Sequence, residues 1–213
     1  YRAYKGMDIH TTLDVHIMDY THAALMKACK KHQPEEAVAI VMEVKTGAIK
    51  AISNLSLYNG DYAEVYNTAI GSATEPGSTF KVATMLALLE DGLVDIKDSV
   101  DLEKGVLKIF DAKLEDAHKH TIRNTSIENA FAMSSNVGMA KLVLDKYKEG
   151  ADAQKFIDRL HQFHLDQKTG IEIQGEATPF IKPAHSDKYL WSKTSLPWMA
   201  IGYEVLETPL QML

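Results

Sequence analysis

Pro76-Gly77 is the break that most constrains how this chain can fold. Proline has no N–H for a continuing helix, and glycine admits backbone angles closed to other residues. Ser78-Thr79-Phe80-Lys81 follows at once and leads into Val82-Ala83-Thr84-Met85-Leu86-Ala87-Leu88-Leu89-Glu90-Asp91, then Gly92. An apolar Ala/Leu/Met-rich run closed by glycine predicts a helix with Gly92 at its C′ position. Ser78 then sits at the helix mouth with Lys81 one turn on, so hydroxyl and amine share a face. Unpaired N–H groups and the positive end of the helix dipole lie at the same place. A serine nucleophile with a lysine base needs that arrangement. The same residues admit a plainer reading, with Ser78 as an N-cap and Lys81 solvated. The tetrapeptide alone does not decide between them.

The 213 residues are 46% hydrophobic and 24% charged, enough for one domain, or one and a fraction, with a sizeable core. A net charge of −6, with no Lys/Arg run of five, argues against a nucleic-acid partner. No apolar run approaches the roughly 18 residues of a membrane span. Tyr1 opens the chain without an initiator Met, and Pro209-Leu210-Gln211-Met212-Leu213 reads as an opening helix, so the expectation is a piece of a longer protein. Cys29 is the only cysteine, which excludes an intramolecular disulfide and leaves the compartment open. In an amphipathic helix it reads as a packed side chain.

Asp8 to Leu13 has short β character. Asp14 to His32 reads as a helix capped by Thr12 or Asp14, with Leu13, Ile17, Tyr20, Ala24, Leu25 and Ala28 at helical spacing and Lys30, Lys31 and His32 in the last turn. Ala37–Val44, expected to be buried on both faces, and Ala48–Ser53 predict a hairpin turning at Lys45-Thr46-Gly47. Residues 54–77 read as a long irregular stretch carrying Tyr58, Tyr62 and Tyr66, and 92–125 as polar and strand-poor apart from a short strand at Val106–Phe110. Thr125 or Ser126 caps a helix that reaches Ser134-Ser135-Asn136, a second helix runs Val137–Tyr147, and a third follows Gly150 from Ala151 to Phe163. The segment 174–197 reads as loop, and Thr208-Pro209 as a helix start. Helices outnumber strands, so the class is α/β or α+β with a small antiparallel sheet. His118 with His120, and His161 with His164, read as surface polar residues rather than zinc ligands.

Ser134 and Asn136 stand at a helix junction, where a hydroxyl and an amide two residues apart can face one cleft. By itself that pair is a weak signal and reads more readily as a capping turn. Together with Ser78-x-x-Lys81 it matches the motif set of penicillin-binding proteins and serine β-lactamases. The chain resembles the transpeptidase domain of class B penicillin-binding proteins, most closely the division type that makes septal peptidoglycan. The resemblance covers Thr11–Asp14, Val41–Gly47, Tyr66-Asn67, Glu75–Lys81, Met133–Asn136, Thr169–Ile171, Ile201–Tyr203 and Thr208–Gln211, in the family's order.

The resemblance implies a penicillin-binding-protein/serine β-lactamase-like fold and these roles. Ser78 attacks the penultimate D-Ala carbonyl of a stem peptide and is acylated. A neutral Lys81 takes its proton. Ser134 passes a proton to the leaving amine, and Asn136 orients substrate and Lys81. Gly77, Ser135, Tyr66 and Asn67 are the substrate-binding candidates. An amine from a neighbouring stem then displaces the acyl group, and β-lactams trap Ser78 by the same route. It implies peptidoglycan stem peptides, β-lactams and divisome proteins as partners, no cofactor or metal, and a place on the outer side of the bacterial cytoplasmic membrane. A serine β-lactamase or β-lactam sensor and a non-catalytic scaffold are the alternatives. The family's third motif, a strand-borne Lys-Thr-Gly, is expected to be missing. Lys45-Thr46-Gly47 reads as a hairpin turn, and Lys168-Thr169-Gly170 lacks the Thr or Ser that should follow. Residues 1–213 are therefore expected to form a partial domain: the hairpin at about 37–53, the Ser-x-x-Lys helix at about 78–91, a helical subdomain at about 92–165, and an incomplete sheet with an exposed edge.

Overall fold

A computed structural model describes residues 6–148, 151–184 and 188–213. The chain divides into two compact units, one ending at Ser72 and one running Ala73–Met212. Tyr1 and Gly150, both named above, lie outside the described residues.

In the first unit, α1 (Val15–His32) starts where Asp14 Oδ1 accepts the His16 and Ile17 amides at 2.9 and 3.0 Å. It stops at Gln33, which turns left-handed at φ 52° and donates to the Cys29 carbonyl. The helix packs on β1 (Glu36–Glu43) and β2 (Ala48–Tyr58), which pair antiparallel with a bulge between Val41 and Met42. β3 (Asp61–Ala63) adds to β2, giving the order β1-β2-β3, and α2 (Thr68–Gly71) follows. Four expectations change here. The inward stripe of α1 runs through half-buried Met18, His22 and Leu25 to buried Cys29, so Tyr20 points outward and is 80% exposed. No residue of β1 is fully buried, since only one of its faces meets the helix. Residues 54–58 continue β2 instead of leaving the sheet, because Leu55 fills the alternation begun by Ala51 and Ser53. Residues 6–13 form no strand: Thr12 reaches the Ile49 carbonyl through its hydroxyl alone. The hairpin turn at Lys45-Thr46-Gly47 stands as expected, with Gly47 at φ +71° and its N–H on the Glu43 carbonyl.

The second unit is built on helices. A 3₁₀ turn (Gly77–Phe80) runs directly into α3 (Lys81–Glu90). The region expected to be strand-poor holds two short antiparallel ribbons. β4 (Ser99–Asp101) pairs with β7 (Asn124–Ser126), and β5 (Val106–Ile109) with β6 (Ala112–Glu115). β5 is the short strand expected at Val106–Phe110, while β4, β6 and β7 are too short and too polar for alternation to mark them. Ser126 caps α4 (Ile127–Ala132) through the Asn129 amide, and Ser135 caps α5 (Asn136–Tyr147) through Gly138. α6 (Ala151–Gln162) places Phe156, Ile157 and Leu160 in the core, as the spacing predicts. β8 (Phe180–Ile181), α7 (Ser195–Met199) and β9 (Val205–Leu206) structure a segment expected to be mostly loop, with β8 pairing β9. Thr208 opens a hydrogen-bonded turn with Gln211 rather than a helix.

α5 is the centre of this core. Val137, Met139, Ala140 and Val143 are fully buried, and the helix packs on α3, α4, α6 and α7. Gly138 has no room for a side chain, because a Cβ there would lie 3.0 Å from Leu102 and 3.2 Å from Ala130. Burying a Leu, Ile or Phe is worth about 1.5–3 kcal/mol each, so Phe80, Leu88, Phe156, Ile157 and Leu160 anchor α3 and α6 to that core. Asp91, at the end of α3, accepts Tyr147 Oη at 2.6 Å and Arg159 Nε at 2.9 Å, which ties three helices at one carboxylate.

Candidate active site

The turn at Gly77–Phe80 decides the geometry. Gly77 takes φ +60°, and the following residues wind as a 3₁₀ helix before the α-helix begins. Three residues per turn eclipse positions i and i+3, so Ser78 and Lys81 are aligned more directly than in an α-helix. Phe80, fully buried, pins the turn, while Ser78 faces solvent. The chain just before it is stitched to the Ile201–Glu207 segment. Thr74 and Glu207 exchange both backbone bonds at 3.0 Å, Gly77 donates to Gly202 O at 3.1 Å, and Glu204 N–H donates to the Glu75 carboxylate at 2.9 Å. Two stretches far apart in sequence are thereby one structural unit.

Lys81 is 2% exposed. Its Nζ donates to Ser134 O at 2.6 Å, to Ser134 Oγ at 3.1 Å and to Asn136 Oδ1 at 2.7 Å. Burial lowers its proton affinity from the ordinary 10.5 to about 8, against an opposing pull from the Asp116 carboxylate. The plainer reading of a solvated Lys81 is thereby corrected: the amine is enclosed because α3 packs it under the α4–α5 junction.

At that junction Ser134 adopts φ +56°. A non-glycine residue in that region stores of order 1–2 kcal/mol and persists only where its surroundings hold it. Asn136 Nδ2 donates to Glu115 O at 2.8 Å, which turns its Oδ1 towards Lys81. Ser78, Ser134, Ser135, Met133, His118 and His120 line one cleft of about 380 Å³. Asn136 lines a neighbouring depression of about 530 Å³ with Glu75, Trp198, Tyr203 and Glu204.

The structure thus brings Ser78, Lys81, Ser134 and Asn136 to one turn–junction pair. Ser135 is there too, but its hydroxyl is spent as the α5 cap and as a donor to Asp116 at 2.9 Å, because a buried hydroxyl must be paired. Tyr66 and Asn67 belong to the first unit and have local partners: Tyr66 Oη donates to Gly71 O at 3.0 Å, and Asn67 Oδ1 accepts from Asn54 at 3.0 Å. Asp116 escaped the sequence reading. Its side chain is 5% exposed and holds the junction from below. Nothing near it in sequence marks it, since it lies in an irregular segment after β6. His120, expected at the surface, is drawn in by this acid at 2.8 Å. Lys168-Thr169-Gly170 wraps the Glu176 carboxylate, with Thr169 N and Gly170 N donating at 2.6 and 3.2 Å, and does not line the Ser78 cleft. Among the described residues no three His, Cys, Asp or Glu side chains group to hold a metal ion. No helix among them is long and apolar enough to cross a membrane.

Residues 37–213 match the penicillin binding protein transpeptidase domain. The chain belongs to that family. Its relatives include the penicillin-binding protein PbpB of Mycobacterium tuberculosis, 27% identical over 100% of this chain and 31% of the relative. Another is the peptidoglycan D,D-transpeptidase FtsI of Escherichia coli, 24% identical over 94% of this chain and 33% of the relative. The chain therefore spans about a third of the length of these relatives. Penicillin-binding protein 3 of Mycobacterium tuberculosis, solved with aztreonam, superposes with a TM-score of 0.78 at 26% identity, over 94% of this chain and 44% of that one. The transpeptidase fold, helix-rich with small sheets, is the one expected from sequence.

Proposed function

We propose that the intact protein is a peptidoglycan D,D-transpeptidase that cross-links stem peptides through an acyl-enzyme on Ser78. The observation that carries this reading is the enclosed amine of Lys81, held by Ser134 and Asn136 one turn from Ser78. With its proton affinity at about 8, on the order of a tenth of Lys81 is neutral at pH 7, against under about 0.1% for an ordinary lysine. A neutral amine keeps two N–H donors, which suffice for Ser134 O and Asn136 Oδ1, and frees its lone pair for a hydroxyl proton.

The steps follow. Ser78 Oγ bonds to the penultimate D-Ala carbonyl as its proton passes to Lys81. Ser134 Oγ, 3.1 Å from Nζ, relays that proton to the amine of the departing D-Ala as the C–N bond breaks. The amine of a second stem peptide then attacks the ester carbonyl, the carbonyl C–Oγ bond breaks, and the amine's proton returns to Ser78 Oγ through Lys81. The strained Ser134 and the anchored amide of Asn136 keep the relay preorganised. A relative named as a peptidoglycan D,D-transpeptidase supports the reaction class. The same reading gives the intact protein a division-type role, divisome partners and a place on the outer side of the cytoplasmic membrane.

Adduct lifetime tests the reading. Intact-mass spectra of the full protein after penicillin should show one penicilloyl group that persists for hours. Turnover within seconds would make the protein a β-lactamase, and no adduct at all would leave a scaffold.

A further inference from the structure

Asp116 lies outside every motif that the family reading uses. Its carboxylate takes Ser135 Oγ–H at 3.1 and 2.9 Å on its two oxygens, the Val137 amide at 2.9 Å, and His120 Nε2 at 2.8 Å. Its own N–H donates to Gly105 O at 3.0 Å. Residues 135 and 137 flank Asn136, whose amide is held by Glu115 O. Glu115, the last residue of β6, and Asp116 just after it thus grip three successive residues of the α4–α5 junction. That junction includes the left-handed Ser134, which needs a brace to hold its shape.

We propose that Asp116, itself set by His120, is the positioning residue of this site: its carboxylate locks the junction in the shape that presents Ser134 and Asn136 to Lys81. This rests on the reading of Ser78 and Lys81 given above.

The surroundings are built for an ionised carboxylate. A buried charge is tolerated only with good partners, and hydroxyl, amide and imidazole donors all converge here. The imidazole fits because residue 105 has no side chain: a Cβ there would lie 3.1 Å from His120 Nε2. Facing an ionised Asp116, Nε2 carries the proton. Asp116 is also the charged group that acts on Lys81, raising its proton affinity against burial. Ser134 and Asn136, which touch Nζ, are neutral, and His118 and His120 are the other titratable groups lining the Ser78 cleft. The carboxylate therefore has two separable effects, one on shape and one on charge.

D116N separates them. The new amide oxygen still accepts from Ser135 and Val137, while its NH₂ donates to Nε2 after the imidazole moves its proton to Nδ1. Nδ1 is buried with no partner among the described residues, so nothing blocks the shift, but it leaves that N–H unpaired at a modest cost in stability. The fold should survive. Acylation of the intact protein by a fluorescent penicillin is measured from pH 5.5 to 10. Wild type should rise with a midpoint near 8. In D116N the plateau rate should fall about 10- to 100-fold from lost positioning, and the midpoint should move about one unit lower. H120Q, which keeps a donor towards Asp116, should stay within about threefold of wild type, and H120L should lose about tenfold. An unchanged plateau in D116N, or a lower plateau with an unmoved midpoint, overturns the proposal. Should D116N not fold, equal rates in H120Q and H120L overturn it instead. A wild-type protein that is never acylated contradicts the Ser78–Lys81 reading, which is a different failure.

Discussion

Two buried ionisable side chains show how much this unit invests in charge away from water. Lys81 keeps three acceptors and loses proton affinity to burial. Glu207 is the opposite case. Both its oxygens, and Asp166 Oδ1, are buried with no partner among the described residues. Burial, and then the Asp166 carboxylate, raise Glu207 from 4.5 to about 8. The folded chain therefore holds a proton between those two values that the unfolded chain has released. Stability from this group is fully present below about 4.5 and is lost as pH rises through 8. E207Q removes that slope. Its melting temperature should match wild type at pH 5 and exceed it at pH 8.5 by several degrees, given about 2–4 °C per kcal/mol at this size. Thermal melts at the two pH values check this, and an equal gap at both would contradict it.

At the scale of elements, the site depends on a seam between the Thr74–Gly77 strand-like approach and the Ile201–Glu207 return. Its tightest point is Gly202, at φ +84°, where a Cβ would fall 2.0 Å from Gly77 O. Gly77 also has positive φ, but the space beside it is open. G202A should therefore cost more than about 3 kcal/mol and abolish acylation, whereas G77A should cost only the backbone strain of about 1–2 kcal/mol. Urea unfolding of both variants decides it, and equal losses would show that steric contact at the seam is not what matters.

This seam also marks what was legible in the sequence. Glu75–Lys81 was readable from its glycine, proline and helical spacing, and Ile201–Gln211 from the family resemblance. Their pairing was not, since 129 positions separate Glu75 from Glu204, whose amide its carboxylate accepts. Helices α1, α4, α5 and α6 were legible from caps and periodicity. β5 was legible as the short apolar run at Val106–Phe110, but its partner β6 and the ribbon β4–β7 were not, because three- or four-residue polar strands show too few alternations to register. Asp116 was invisible for the same reason: only the tertiary fold carries it to Ser135 and Val137.

For the whole molecule, the family match fixes the fold over most of the chain, and the proposed acyl transfer rests on the enclosed lysine and the exposed serine. Neither Lys-Thr-Gly contributes in the way the third motif would. One closes a hairpin, and the other is occupied by Glu176. The account stands on Ser78 as the acylated atom, with Lys81 as its base. Peptide mapping of the intact protein after penicillin tests that most directly. The penicilloyl mass should fall on the peptide carrying Ser78, be absent in S78A and form at least about 100-fold more slowly in K81M. An adduct on any other peptide, or one that persists in S78A, would contradict it.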